Sequence, residues 1–438
     1  MIRTVIAVLS PYSALVKSRW TQQEKDAGMS NQFFEEETNL AVIERRSPCS
    51  SYSKAEMTEE VWSTTDEIDE EAWERLHDPS DLFMDLRLLR AIENSMAASC
   101  RFRYVLFRNA DDEPVAAAVL CTFAIDIGVL AEDAWSRWAL RQLRKLSHKL
   151  VDYRITFCGL PISACQSSLR FASGIGTETI DTAEILSRLD VLLRRIARED
   201  RSSIIVLKEF SDEEVSLLKP LQRRGYRRAD SLPTHLISLK SDSFEGFVKD
   251  LSTGKRRTNV RASLKKMHGK GIDFITTSDC ETIERLFTPD VYRLYEEVLG
   301  RSSTKLEHLP PEFFLEMARQ LSDSCEFTFV LEQDRVIAFS MALWTSHEYR
   351  GLFLGYDATR NHDLDLYFNM VFRSIGNAAN RRVPIMELGQ SSSYFKRTKL
   401  GAIQSRRSIY VRGGNALMSV LIWLFFKQFF PPRPLDKE

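Results

Sequence analysis

One order of elements, read from the spacing of apolar residues, is written twice along the 438 residues of this chain. The first pass opens with Leu86, Leu89, Ile92 and Met96 at three- and four-residue steps, an amphipathic helix. A strand-like run at 102–107, a polar turn at 109–113 and a second apolar run at 115–123 then make a hairpin. A helix around 135–150, a strand at 153–158, a helix at 182–198, a strand at 203–207, a helix after Ser211 and a strand at 234–239 complete it. The second pass has strands at 326–331 and 336–343 around a turn at Gln333-Asp334, then a strand at 349–354. A helix at 364–379 and strands at 385–388 and 408–411 follow. Repetition of this kind predicts a divergent internal duplication: an α/β (α+β) chain of two tandem lobes, each a mixed twisted sheet flanked by helices.

The two passes set the expected boundaries. Residues 80–240 form the first lobe and 241–413 the second, which carries the cleft. Residues 1–79 are expected to be an acidic, partly disordered extension, because 59–85 is dense in Asp and Glu with Arg75 alone opposing them. The opening run at 4–16 lacks a cleavage pattern and is not expected to be a secretory signal. Residues 414–438 form an apolar tail. Its uncharged stretch falls short of the roughly 18–20 residues that cross a bilayer, so it is expected to pack on the body, with peripheral membrane contact as the competing place.

A formal net charge of -1 with 28% charged residues excludes a global polyanion binder such as a DNA-coating protein; any basic function must be local. The local candidate is the joint between lobes, which has no acidic residue from 251 to 271. There Val260, Leu264 and Met267 form an apolar stripe, while Lys255, Arg256, Arg257, Arg261, Lys265, Lys266 and Lys270 occupy the rest of a helix. Arg257 and Arg261, four apart, share one face and are expected to bind an anionic substrate. The seven cysteines lack CxxC spacing and are expected to be reduced thiols of a cytoplasmic protein. The seven histidines lack the spacing of a zinc site, so no metal is expected.

Several short runs carry a resemblance. They are Leu251-Ser252, Lys255-Arg256-Arg257 and Asn259-Val260-Arg261, then Leu354-Gly355-Tyr356-Asp357 and Tyr367-Phe368-Asn369. Last come Glu387-Leu388-Gly389-Gln390, Phe395-Lys396-Arg397 and Leu400-Gly401-Ala402. Together they resemble the GNAT acetyltransferase-like domain related to the FemABX group, well over 240–412 and loosely over 80–240. The resemblance implies two GNAT-like lobes and transfer of an acyl or aminoacyl group to an amine, from an acyl-CoA or from a charged tRNA. One departure stands out. The glycine-bearing pyrophosphate loop of GNAT enzymes falls at 358–365, where this chain reads Ala-Thr-Arg-Asn-His-Asp-Leu-Asp, and without glycine the backbone cannot approach phosphates closely.

Acyl transfer to an amine needs a base, donors for the carbonyl oxyanion and an acid for the leaving group. Asp357 and Glu387, at the carboxyl ends of neighbouring strands, are the candidate bases, and Tyr394 is the candidate acid. Tyr367 and Asn369 are candidates for holding the donor. Gln390, Lys396 and Arg397, with Lys399 nearby, join Arg257 and Arg261 as candidates for the acceptor. Three functions follow in order. The first is an acyl-CoA-dependent N-acyltransferase acting on a small-molecule or glycan-linked amine of the cell envelope, with acetyl-CoA or another acyl-CoA as co-substrate. The second is a FemABX-like transferase using aminoacyl-tRNA. The third is a non-catalytic GNAT-fold binding protein.

Overall fold

The computed structural model describes residues 57–78, 81–126, 152–172, 181–302 and 308–435. The expected disorder of 1–56 and the expected helix around 135–150 lie outside the described residues.

In chain order the strands are β1 (Thr58–Trp62), β2 (Cys100–Arg108), β3 (Pro114–Asp126), β4 (Asp152–Cys158), β5 (Leu169–Phe171), β6 (Ile204–Phe210), β7 (Arg227–Asp230) and β8 (Thr234–Ser238). The second half adds β9 (Ile272–Thr277), β10 (Cys325–Glu332), β11 (Arg335–Trp344), β12 (Glu348–Tyr356), β13 (Ile385–Glu387), β14 (Ile403–Ser405) and β15 (Ser408–Gly413). The helices are α1 (Glu70–Glu74), α2 (Leu86–Met96), α3 (Thr182–Glu199), α4 (Lys219–Arg223), α5 (Phe244–Asp250), α6 (Gly254–Met267) and α7 (Cys280–Leu286). They continue with α8 (Pro289–Arg301), α9 (Pro311–Gln320), α10 (Ala358–Leu364), α11 (Leu366–Asn380), α12 (Ser393–Leu400) and α13 (Ala416–Phe429).

Two mixed sheets result, and they have the same plan. The first runs β1-β2-β3-β4-β6-β15-β7, with β5 beside β3; the second, read from its far edge, runs β9-β10-β11-β12-β13-β8-β14. In each sheet the first three pairings are antiparallel, the fourth is parallel (β4 with β6, β12 with β13), and the last two are antiparallel again. The duplication read from the apolar pattern is therefore present down to strand direction. The halves also exchange a strand: β8, last in the first half, sits between β13 and β14, while β15 sits between β6 and β7.

The expected boundaries change accordingly. The first sheet begins at Thr58, not at residue 80, because β1 pairs with β2 from Thr58↔Arg108 to Trp62↔Tyr104 and Trp73 on α1 is buried. Residues 234–238 belong to the second sheet and 408–413 to the first. Alternating apolar residues mark a strand but not its partner, so the reassignment was invisible in the pattern.

Local signals account for the elements. Asp85 caps α2 by accepting from the Arg87 amide, and α2 buries Leu86, Leu88, Leu89, Ala91, Ile92 and Met96. This helix packs on α9, its counterpart in the second half, so Leu89 and Ile92 share one core with Phe313, Phe314 and Met317. A set of rings fills the space beneath: Phe287, Phe314, Phe339 and Tyr295 lie with centroids 4.9–5.8 Å apart. Gly355 lets α8 cross β12 closely, since a Cβ there would lie 2.5 Å from the Tyr295 amide nitrogen. On α6 the buried residues are Val260, Ser263 and Met267, while Leu264 is exposed. The expected stripe is thus displaced by one residue, because the Ser263 hydroxyl reaches Asp365 at 2.7 Å. The helix expected at 364–379 is present as α11, starting after Asp365 (φ +48), while the segment expected as a loop at 358–365 forms the additional short helix α10.

Candidate active site

β12 and β13 pair only from Glu348↔Ile385 to Arg350↔Glu387. Beyond that point β12 continues to Tyr356, while the chain after Glu387 turns away through Gly389 (φ +73). The strands therefore splay at the carboxyl end of a parallel pair, the place where α/β sheets offer a cleft.

Glu387 stands at the last paired position and is 3% exposed. Arg350 donates to it at 2.6 Å and also to Glu348 at 2.8 Å and the Ala164 carbonyl at 2.7 Å. The Thr234 hydroxyl, delivered by the exchanged strand β8, donates to the other oxygen of Glu387. Burial by itself would lower the Arg350 guanidinium, but Glu387 and Glu348 more than offset it and hold it raised. Burial pushes the Glu348 carboxyl up, against the pull of Arg350. Glu387 is thus one member of a buried ion network and not the free base expected from its strand-end position. Each of its oxygens already accepts one hydrogen bond, from Arg350 or Thr234, so the group is held within the network instead of standing free toward a substrate.

Lys396 is the buried group without such a partner. It lies on α12, is 3% exposed, donates to the Gly389 carbonyl at 3.1 Å, and forms no ion pair with any described residue. Burial pushes its ammonium from the ordinary 10.5 down to about 8, with Cys165 and Glu387 pulling weakly upward. The same carbonyl meets His235 Nδ1 at 2.9 Å, and His235 Nε2 faces the Gln404 amide nitrogen at 3.5 Å. A carbonyl only accepts and an amide nitrogen only donates, so these partners place the proton on Nδ1. Burial pushes His235 down, which keeps the imidazole neutral near pH 7.

The loop above Lys396 is anchored rather than free. The Leu388 amide donates to the His235 carbonyl at 2.9 Å, and Gln390 donates to the Leu232 carbonyl at 3.0 Å. Gln390 therefore holds the loop. Ser391 and Ser392 are exposed above the buried lysine, and Ser392 is left-handed (φ +57). Beside it stand Tyr367, Phe368 and Phe395, the last two stacked at 4.3 Å. Burial pushes the Tyr367 hydroxyl up, and its bond with Ser392 pulls it back. Tyr367 is thus at the site.

Other expected residues do other work. Asp357 caps α10, accepting from the Thr359 amide at 2.9 Å and hydroxyl at 2.6 Å. Burial raises its carboxyl, but those bonds and Arg335 outweigh it and hold it below the usual range. A carboxylate kept ionised by a cap is a poor base at neutral pH. Tyr394, the expected acid, is 78% exposed on the outer face of α12, where no wall excludes water. Asn369 is buried and donates to the carbonyls of Leu364 (2.8 Å), Ser263 (3.2 Å) and Asp365 (3.3 Å), tying α6 to the α10–α11 break. Arg257 turns back to the Leu251 carbonyl at 2.5 Å while Arg261 is exposed, so the two do not form a clamp. Instead Arg256 docks on the end of α12, donating to the Arg397 and Thr398 carbonyls at 3.1 Å each. Arg397 is half-buried at that helix end, one residue beyond Lys396.

A cavity of about 420 Å³ opens beside the network, lined among others by Cys165, Arg170, Glu209, Glu214, Arg350 and Arg407. Arg350 faces both this cavity and Glu387, so it links the two sheets at the site. Sequence reasoning missed Arg350, Thr234, His235 and Cys165. One signal was available for Arg350: it is a charge in a strand that carries no other charged residue after Glu348.

The family described as FemAB-like, peptidoglycan biosynthesis/recognition, matches residues 64–398. No curated protein matches the sequence. Similar solved structures include FemX, at 12% identity with 83% of this chain and 99% of that one covered and a TM-score of 0.49. A tandem GNAT protein from the clavulanic acid biosynthesis pathway is similar at 10% identity, 82% and 99% coverage and a TM-score of 0.48. The C-terminal domain of a putative lysylphosphatidylglycerol synthetase from Agrobacterium fabrum is similar at 13% identity, 82% and 96% coverage and a TM-score of 0.46.

Proposed function

Because the chain belongs to the FemAB-like family of peptidoglycan biosynthesis and recognition proteins, we propose that it is a transferase joining an acyl or aminoacyl group to an amine of a peptidoglycan precursor. The observation that carries this reading is Lys396, a buried lysine brought down to about 8 beside the splay of β12 and β13. Near neutral pH such a group exists in both protonation states, as a proton carrier must. The acceptor nitrogen attacks the donor carbonyl, the C–N bond forms and the ester C–O bond breaks. Of the two protons the acceptor ammonium gives up, one is lost to solvent before attack, and the other, shed by the nitrogen once the C–N bond forms, passes to neutral Lys396 and from there to the leaving oxygen. No covalent intermediate on the protein is needed.

For the donor we favour a charged tRNA over the acyl-CoA named first in the sequence reading. The segment where a coenzyme A pyrophosphate would need bare backbone amides is helix α10, and the Asp357 carboxylate already occupies its first turn. Lys255, Arg261 and Lys265 are exposed along α6 and suit phosphate contacts. Acyl-CoA as donor is the second reading, favoured by the unpaired edge of β12 beyond Arg350, along which an extended chain can pair. Either donor places the reaction in the cytoplasm.

The test mixes the purified chain with an amine-bearing peptidoglycan precursor and either aminoacyl-tRNA or acetyl-CoA, and reads the new amide by mass spectrometry. Product with tRNA alone, and binding of tRNA that weakens steeply with salt, supports the first reading. Product with acetyl-CoA, together with a thermal shift by coenzyme A, supports the second. No product with either donor overturns both.

A further inference from the structure

The described tail is half packed. Helix α13 lays Met418, Ile422 and Phe426 against Ile125, Ile155, Val206 and Val411 of the first sheet, as expected for a tail that packs on the body. Its opposite face carries Leu417, Val420 and Leu424 at helical spacing, 59%, 54% and 53% exposed, flanked by Trp423 at 68% and, past the kink at Phe425, Phe429 at 63%. Large apolar side chains gathered on one exposed face mark a surface that meets something apolar.

Charge identifies the occupant. From Leu388 to Leu435 the chain contains no Asp or Glu. Lys427 stands exposed on the rim of the face, Arg227 donates to the Trp423 carbonyl at 2.9 Å and covers the Phe426 ring at 4.2 Å, and Arg433 follows Pro431-Pro432. An apolar stripe with a tryptophan and cations at its edge fits a bilayer surface, where apolar groups enter the acyl boundary and cations meet anionic headgroups. No described helix is long and apolar enough to cross a membrane, so the contact lies in the plane of the interface.

We propose that this face of α13 docks the protein on an anionic lipid surface. The proposal rests on α13 alone and is independent of the transferase reading. The test is flotation of the full chain with vesicles of phosphatidylglycerol and phosphatidylcholine, against phosphatidylcholine alone, with the double variant Trp423→Ser, Leu424→Ser in parallel. The expected result is flotation that requires phosphatidylglycerol, weakens with salt, and falls about tenfold or more in the double variant. Circular dichroism and the melting temperature of the variant should match the parent, because both side chains point outward. Lys427→Glu, a surface change that leaves the apolar face intact, should lower the dependence on phosphatidylglycerol. The proposal is overturned if the chain floats with neither vesicle, or if the double variant floats as the parent does. It is equally overturned if the parent is a dimer that the double variant converts to monomer, because a second copy then covers the face.

Discussion

The two sheets splay at the same point of the same plan, yet only the second opening holds a buried lysine with no ion pair among the described residues, since Lys208 in the first pairs with Glu209 at 3.8 Å. In the first sheet the parallel pairing ends at Cys158↔Leu207, and the chain then closes over the gap. Lys208 lies on Gly159 (φ +147), where a Cβ would be 2.6 Å from its Cγ, and reaches the Ile162 carbonyl at 2.7 Å. Glu209 (φ +69) takes the Ala164 amide at 3.1 Å. In the second sheet pairing ends at Arg350↔Glu387, and the left-handed residue at the position of Glu209 is Gly389, with nothing nearer than 4.0 Å to a Cβ. One splay is filled by its own loop, while the other lies beneath the short loop at Gly389, whose carbonyl accepts from the buried Lys396. Arg350 joins them, because it holds the Ala164 carbonyl of the plug and Glu387 of the open site. In the proposed reading, the first half serves as the wall of a site that the second half carries.

The contrast can be broken most sharply at the two lysines. Lys396→Met should reduce amide formation by roughly 10²–10⁴-fold, the range for loss of a proton-transfer group. Lys208→Met should leave turnover within a few-fold, since it only closes the plug. Equal losses in both variants would remove the distinction between the halves.

Next in size is the link between them. Arg350→Met leaves Glu387 and Glu348 buried without their cation, and should cost about 3–5 kcal/mol in denaturant unfolding. Glu387→Gln should act in the same way, lowering stability more than turnover per folded molecule. Full stability with lost turnover would restore Glu387 as a base.

A pH series sharpens the assignment of Lys396. Its folded value, about 8, lies below the ordinary 10.5, so the unfolded chain binds more protons between these values. Stability from this group therefore rises as pH rises from about 8 to 10.5, by up to roughly 3 kcal/mol, and its full penalty applies below 8. Urea titrations across that window should show the increment in the parent and not in Lys396→Met, whose stability at pH 7 should exceed the parent's.

The smallest effect separates the two turns. Gly389→Ala meets open space and should cost only the left-handed backbone preference, about 1 kcal/mol. Gly159→Ala meets Lys208 as well, at a φ that side chains avoid, and should cost more by thermal melting.

Much of the fold was legible because its signals are local. The hairpin at 100–126, helix α2 and the strands around 326–356 follow from period and turn residues within a few positions of each other. The sequence marked where the proposed site lies but not the contacts of its residues. The Glu-Leu-Gly-Gln to Phe-Lys-Arg stretch falls in the loop used by the proposed site, yet a strand-end carboxylate reads the same whether it is free or paired. The partner that decides, Arg350, is 37 positions away. Asp357 before a short helix was equally a cap or a base, and the Thr359 amide settled it as a cap. The basic run of α6 promised a clamp at Arg257 and Arg261, while Arg256 is the one that docks, because the direction of a side chain on a helix is set by what packs against it.

By itself, then, the amino-acid order determined that two copies of one α/β unit would form, where their central strands would fall, and that the second copy would hold the motif, but it did not mark β1, β9, α8 or α9. Local geometry and apolar periodicity act over a few residues and need no partner. Only the tertiary structure decided that β8 and β15 change sheets, that Thr234 and His235 enter the second site, and that Glu387 is tied while Lys396 is left to titrate. Those outcomes depend on which distant groups share a volume without water, and in that setting burial and pairing set a residue's charge.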